Sequence, residues 1–313
     1  MGLVAITAAS ESTSEVMRQA DSACYAAKDA GRNRVHIYRD DDTRLAERQG
    51  EMQWVARIQR ALDESRFELY YQPIKALNPD AATGVCYEVL IRMEDEDGRI
   101  VLPGAFLPAA ERYNLATKVD RWVVNQTFKW LADHPEHLET LEFCSINLSG
   151  HSLGDEEFLQ FITRRFDETG LAPDKICFEV TETAAISNLS TAIRFFTTLS
   201  QLGCKFALDD FGSGYSSFTY LKNLPVDFLK IDGAFVKGIV NDAVDLAMVK
   251  SIIDIGRAMK KRTIVECVEN DQVLEQLVGL GVDYAQGFTI ARPRPMKEML
   301  ANIDESRQPT TGG

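Results

Sequence analysis

Two adjacent carboxylates, Asp209 and Asp210, close the apolar run KFALDD and open the segment FGSGYSS. Burying one ionised carboxylate is costly, and two neighbours repel unless positive charge lies between them. Either the pair caps a turn in solvent, since Asp ahead of a Gly-containing turn is ordinary chemistry, or it holds a cation. The pair has company. Short apolar runs elsewhere end in Glu88 and Arg92, Asn147, Glu179 and Glu182, Lys230 and Asp232, Glu266 and Glu269, and Gln286. Any one of these alone reads as a solvated loop charge; seven runs ending this way do not. Carboxylates and one Asn amide, without His or Cys, are hard oxygen ligands suited to Mg²⁺ or Mn²⁺ rather than zinc. Two such ions about 3.5–4 Å apart are the usual apparatus for displacement at phosphorus. Lys230 and Arg92 supply the positive charge that phosphate oxygens require.

The elements that must position these residues begin at Phe67. Strand candidates start at Phe67, Cys86, Leu141, Lys175, Lys205, Phe228, Thr263 and Tyr284. Amphipathic helical patterns such as DEEFLQFITRRFDETG and STAIRFFTTLSQLG separate most of them, each closed by a Gly suited to a helix C-terminus. Alternation of this kind predicts crossover units and a largely parallel sheet. About eight strands in some 230 residues is the count and length of a (β/α)₈ barrel, an α/β fold whose strand C-termini converge on one mouth. The first connection, KALNPDAATG, is too short and Pro/Gly-rich for a helix, which predicts an antiparallel first strand pair.

The chain has 313 residues, 45% of them apolar, and a formal net charge of −13. The acidic balance argues against bulk nucleic-acid binding or contact with an anionic membrane, both of which need a basic footprint. No apolar stretch is long enough to span a bilayer. The six cysteines are widely spaced, several inside apolar runs, and are read as free thiols in a reducing cytoplasm, with a membrane anchor possible elsewhere in a longer parent protein.

From about Phe67 to Pro295 the chain resembles the EAL domain, the cyclic di-GMP phosphodiesterase family. The signature E-x-L-x-R stands here as Glu88-Val89-Leu90-Ile91-Arg92, followed in the family's order by LPGAFLPAAE, SINLS, EVTE, DDFGSGYSSFTYLKNLPVDFLKID, VECVE and QGF. The resemblance implies hydrolysis of cyclic di-GMP to linear pGpG by in-line attack of a metal-activated water. It implies Glu88, Asn147, Glu179, Asp209 and Asp210 as ligands of two Mg²⁺ or Mn²⁺ ions, with Ca²⁺ inhibitory. Lys230 and Glu266 would work at the attacking water. Arg92, Leu90 and Gln286 would contact substrate, and Glu182, Asp232 and Glu269 would support the site, Glu182 by anchoring the loop DFGSGYSS. A homodimer through that loop and neighbouring helices is implied as well. The competing readings are a receptor that binds cyclic di-GMP without turnover and a metal-dependent barrel acting on sugar phosphates.

Departures from the family pattern are few. Val89 replaces Ala. Cys267 stands where Gly is usual, and strand alternation predicts that it points away from the mouth. Gly233 replaces a common Arg after K-I-D and is expected at the surface. Residues 18–38 resemble the C-terminal helix and strand of a diguanylate cyclase (GGDEF) domain, whose catalytic signature is absent here. The expected layout is a GGDEF-like fragment over 1–40, a helical linker over 41–66, the phosphodiesterase domain over 67–300 and a disordered tail over 301–313.

Overall fold

The computed structural model describes residues 53–78, 84–212 and 218–299, and before them 2–6, 12, 13, 16, 17, 19, 20, 23 and 35–38. The expected tail, residues 41–52 of the linker and the residues Ser213 to Ser217 lie outside the described residues, while linker residues 53–63 are helical. So does most of the span 18–38, in which residues 19, 20 and 23 are helical. Near the N-terminus, the two-residue strand Gly2–Leu3 pairs in parallel with His36–Ile37.

Eight strands close a barrel: β1 (Phe67–Ala76), β2 (Val85–Glu94), β3 (Leu141–Asn147), β4 (Ile176–Thr181), β5 (Lys205–Phe211), β6 (Phe228–Ile231), β7 (Arg262–Val265) and β8 (Tyr284–Ala285). From β2 round to β8 each neighbour pairs in parallel, whereas β1 is antiparallel to both β2 and β8. The antiparallel first pair is thus present. It follows from a connection too short to cross back over the sheet.

The helices α1 (Ala116–Asp133), α2 (Glu156–Thr169), α3 (Leu189–Leu202), α4 (Ala243–Ala258) and α5 (Asp271–Leu280) follow strands as the sequence pattern predicts. Asp155 caps α2 by accepting from Phe158 N, and Asn270 caps α5 by accepting from Val273 N. The glycines expected to end α2 and α3, Gly170 and Gly203, are both left-handed. The buried stripes of these helices, Phe158, Ile162 and Phe166 on α2 for example, form the outer core.

A second, smaller core plugs the barrel. Its members are Ile74, Cys86, Phe143, Cys177, Ala207, Phe228, Ile264 and Tyr284, one from each strand. The rings of Phe143, Phe228 and Tyr284 pack with centroids 4.9–5.9 Å apart. Each such aromatic contributes on the order of 2–3 kcal/mol by burial, so the floor under the mouth is rigid and dry. Among the described cysteines, Cys86, Cys144, Cys177 and Cys204 are buried free thiols.

A buried polar knot fixes the turn after β3. Asp120 of α1 accepts hydrogen bonds from Ser149 N (2.9 Å), Ser149 Oγ (2.7 Å) and Ser152 Oγ (2.6 Å). Burial pushes its carboxyl up to about 6, the serine donors opposing only in part. The unfolded chain titrates near 4, so between about pH 4 and 6 the folded protein holds a proton that the unfolded chain has lost. Stability contributed at this site therefore falls as pH rises through that window. Urea unfolding at pH 4 and pH 7 should show Asp120→Asn losing this dependence, a difference on the order of 2–3 kcal/mol from wild type. Equal pH slopes for the two proteins would contradict it.

Candidate active site

Two residues beyond the apolar plug, each strand, or for β7 and β8 the residue just past its end, carries a polar side chain. Since β1 runs the other way, its member precedes Ile74. The ring is Gln72, Glu88, Ser145, Glu179, Asp209, Lys230, Glu266 and Gln286, with Asn147 one step further up β3. Gln72 and Ser145 were not singled out in the sequence. Their signal was their spacing of two from Ile74 and Phe143.

Lys230 is fully buried at the centre of this ring. Its Nζ lies 2.5 Å from Glu179 Oε2, 2.8 Å from Glu266 Oε1, 3.4 Å from Glu88 Oε2 and 3.5 Å from Asp209 Oδ1. Asn147 Nδ2 donates to Glu88 Oε1 at 2.6 Å, and Gln286 Nε2 donates to Glu88 Oε2 at 2.7 Å and to Gln72 Oε1 at 3.3 Å. The structure therefore brings Glu88, Asn147, Glu179, Asp209, Lys230, Glu266 and Gln286 into one network.

The electrostatics divide the carboxylates. Burial would lower the Lys230 ammonium, but Asp209, Glu179, Glu266 and Glu88 outweigh it and hold the group well above the usual lysine range. Glu88 is penalised by burial too, yet Lys230, Gln286 and Asn147 bring it below the ordinary carboxylate range. Glu179 goes the other way: complete burial, with Glu88 and Asp209 as like charges, raises it well above. Burial pushes Glu266 up to about 7, and Asp210 is raised by burial and by Asp209 and Asp232. One ammonium is too little for five carboxylates.

Asp209 and Asp210 both reach the site through a break in the ladder. Leu208 pairs with Leu229 and Phe211 with Ile231, so two aspartates stand opposite the single residue Lys230. This is a β-bulge, which re-aims a side chain that regular alternation would send to the other face. Asp210 takes a left-handed φ of 52° to make the turn. One carboxylate oxygen from each of Asp209, Asp210 and Glu266 lies within 4.8 Å of the other two.

Whether these residues fit a cation is decided by unpartnered oxygens. Among the described residues, the buried carboxylate and amide oxygens Glu179 Oε1, Asp209 Oδ1 and Gln286 Oε1 accept no hydrogen bond, although Asp209 Oδ1 keeps its ion pair with Lys230 at 3.5 Å. Buried acceptors left this way are costly, and all three belong to the same ring. A hard divalent cation satisfies such a donor set.

Other candidate residues lie further out. Glu88 is the fourth of ten residues in β2, which continues past the mouth. Leu90 lines a cavity of about 210 Å³ beside Asn147 and Thr181. Arg92 is held by its own strand, donating to Ile91 O at 2.8 Å and stacking on Tyr70. Asp232 caps the turn Gly233–Val236 by accepting from Ala234 N. Glu269 lines a cavity of about 140 Å³ with Gln72, Glu88, Glu266, Cys267, Gln286, Gly287 and Phe288. Glu182 is buried behind β5, accepting from Gly212 N at 3.0 Å and from the Tyr220 hydroxyl.

Two expectations are corrected here. Cys267 does not point away from the mouth. Strand β7 ends at Val265, so alternation no longer applies, and Cys267 takes a left-handed φ of 54°, exposed on the cavity wall. Gly233 is not at the surface but buried against Cys267.

A family model for the EAL domain matches residues 55–293. The chain belongs to the EAL domain family. It is 42% identical over 283 residues to the cyclic di-GMP phosphodiesterase PdeB of Shewanella oneidensis, covering 90% of this chain and 33% of that protein. It is 32% identical to the bifunctional diguanylate cyclase/cyclic di-GMP phosphodiesterase MucR of Pseudomonas aeruginosa, covering 92% of this chain and 42% of the relative. The chain thus spans about a third to two fifths of the length of these curated relatives. Among solved structures it superposes on the PaMucR phosphodiesterase in complex with c-di-GMP with a TM-score of 0.73 and 30% identity, over 79% of this chain and 99% of that one. Among the described residues, no helix is long and apolar enough to cross a membrane.

Among the described residues of this EAL domain, Lys230 is the only cation touching four carboxylates, which predicts how its loss is felt. Lys230→Met should destabilise the cation-free protein by about 3–5 kcal/mol in urea unfolding, the cost of leaving buried charges unpaired. Added Mg²⁺ should recover part of that loss by binding the folded state. Unchanged stability without cation would mean that the carboxylates are neutralised in some other way.

Proposed function

We propose that this chain hydrolyses one phosphodiester of cyclic di-GMP, releasing linear pGpG, with two Mg²⁺ or Mn²⁺ ions. The observation that carries the reading is the ring of oxygen donors around Lys230, with buried oxygens on Glu179 and Asp209 that accept no hydrogen bond. The named activity of PdeB and the c-di-GMP complex of the MucR phosphodiesterase support the substrate. Glu88, Asn147, Glu179, Asp209 and Asp210 would hold the ions. When bound, such ions lower the pKa of a water and clamp a phosphate for in-line attack.

The chain's own residues do the rest. Lys230, fixed by its carboxylates, orients the attacking water and offsets charge developing on the phosphate. Glu266, 2.8 Å from Lys230 and raised by burial into the range of a working base, accepts the proton. Arg92 and Leu90 on the projecting part of β2 receive the substrate above the ring, and Gln286 holds Glu88 in place. Asp232 and Glu269 support the rim, and Glu182 holds the loop after Asp210 from both ends through Gly212 and Tyr220.

We read residues 1–40 as the C-terminal fragment of a GGDEF-like domain. The similarity to bifunctional MucR, which extends over 92% of this chain, supports this. The phosphodiesterase domain then occupies 67–300 behind a helical linker. We further propose a cytoplasmic homodimer formed through the loop after Asp210 and its neighbouring helices; four buried free thiols suit a reducing compartment.

Incubation with cyclic di-GMP and Mg²⁺, followed by chromatography, should show pGpG. Tight binding without product would mark a receptor instead. Exhaustive chelation should abolish turnover, Mn²⁺ should restore it, and Ca²⁺ should bind with little turnover because of its looser geometry. Asp209→Asn should cost about a hundredfold or more in kcat. A near-normal rate would remove Asp209 from the metal ligands.

Tyr220→Phe tests the loop anchor, since it deletes one hydroxyl and leaves the ring in the core. Turnover should fall about tenfold with weaker Mg²⁺ activation, and Glu182→Ala should cost about a hundredfold. Unchanged kcat and metal activation in both variants would leave Glu182 without a part in the reaction.

A further inference from the structure

Gly233 and Cys267, two of the positions that depart from the family pattern, touch each other. A Cβ placed on Gly233 would lie 2.5 Å from Cys267 Cβ and 2.6 Å from its Sγ. The sulfur can rotate aside. The Cβ cannot, so any side chain at position 233 forces the main chain of one segment to move. Cys267 is already in a left-handed conformation that a residue with a Cβ adopts at some cost.

The contact lies at the joint between the strand that supplies the ammonium and the strand that supplies Glu266. Glu266 N donates to Ile231 O at 3.3 Å, the last rung between them. Beyond it, Val268 N donates to Gln286 O at 3.1 Å and Thr289 N donates to Val268 O at 3.0 Å, so the segment is held on both sides. Gly233 opens the turn capped by Asp232 and follows Lys230 by three residues. The space that a side chain at 233 would take is filled by the Cys267 thiol.

We propose that Cys267 and Gly233 form a size-matched couple that sets the position of Glu266 relative to Lys230. Cys267 acts through its neighbour and is a positioning residue. Burial and the adjacent Glu266 push its thiol up, which is opposite to the low-pKa thiolate of a redox sensor. The inference rests on the reading of Glu266 as the group that works at the attacking water.

The test compares Gly233→Ala in the wild-type and Cys267→Gly backgrounds. It reads kcat and KM on cyclic di-GMP with Mg²⁺, and urea midpoints of the cation-free proteins. With Cys267 present, Gly233→Ala should lower kcat about tenfold or more and change KM less, as expected when a catalytic group is displaced. With Gly at 267 the same substitution should cost less than about twofold, a coupling expected only of residues in contact. Equal losses in both backgrounds would overturn the proposal. So would a shifted urea midpoint with unchanged kcat, which would reduce the couple to packing. If Gly233→Ala alone does not fold, the doubles decide: Gly233→Ala/Cys267→Gly should turn over at least about tenfold faster than Gly233→Ala/Cys267→Ala, which keeps the clashing Cβ. Equal rates would overturn it. If wild type itself does not hydrolyse cyclic di-GMP, the functional reading fails and the proposal that rests on it falls with it; an active wild type with equal losses in both backgrounds overturns the couple alone.

Discussion

A fully buried ammonium held by four carboxylates is the interaction on which the mouth of this barrel depends. Without Lys230, the inward carboxylates of β2, β4, β5 and β7 would repel across a dry interior. With it, they are held together but not neutralised. Asp210 adds a fifth negative charge, and burial raises Glu179, Glu266 and Asp210 above the ordinary carboxylate range. The ring remains short of positive charge, which is the condition in which divalent cations bind best. A ring satisfied by its own salt bridges would be a more stable structure and a poorer metal site.

The apolar plug makes this arrangement possible. Phe143, Phe228, Ile264 and Tyr284 close the barrel beneath the ring, so the polar layer rests on packed rings rather than on water. The same strands carry both layers two residues apart, and the period of a β-strand thereby converts eight short runs into a floor and a charged ceiling. Small shifts in the floor would move every group above it.

Much of this was legible in the sequence. All eight strands, the antiparallel first pair and the caps of α2 and α3 follow from alternation, loop length and glycine placement. The polar ring was legible because its members are charged residues at the ends of apolar runs. What escaped were features that break the period. Asp209 and Asp210 share a site through a bulge, and no local composition marks a bulge whose left-handed residue is Asp rather than Gly. Strand β7 stops at Val265, two residues short of Cys267, so a face assigned by counting along VECVE was wrong there. Gln72 and Ser145 are neutral and gave no charge signal. The contact between Gly233 and Cys267 joins two segments 34 residues apart, which a single sequence cannot bring together.

The net charge of −13 sits awkwardly with the anionic nucleotide proposed as substrate, and the local geometry eases the conflict. At physiological ionic strength exposed charges more than about 8 Å away are largely screened, so the acidic exterior acts weakly on a ligand already at the mouth. What the phosphates meet there is local. Arg92 stands above the ring on the projecting part of β2, and the oxygen donors proposed to hold cations lie below. Without those cations the same mouth presents five carboxylates to a phosphodiester. Under the proposed function, metal loading would gate substrate binding as well as the chemical step, and no substitution that alters the charge of the ring would separate the two.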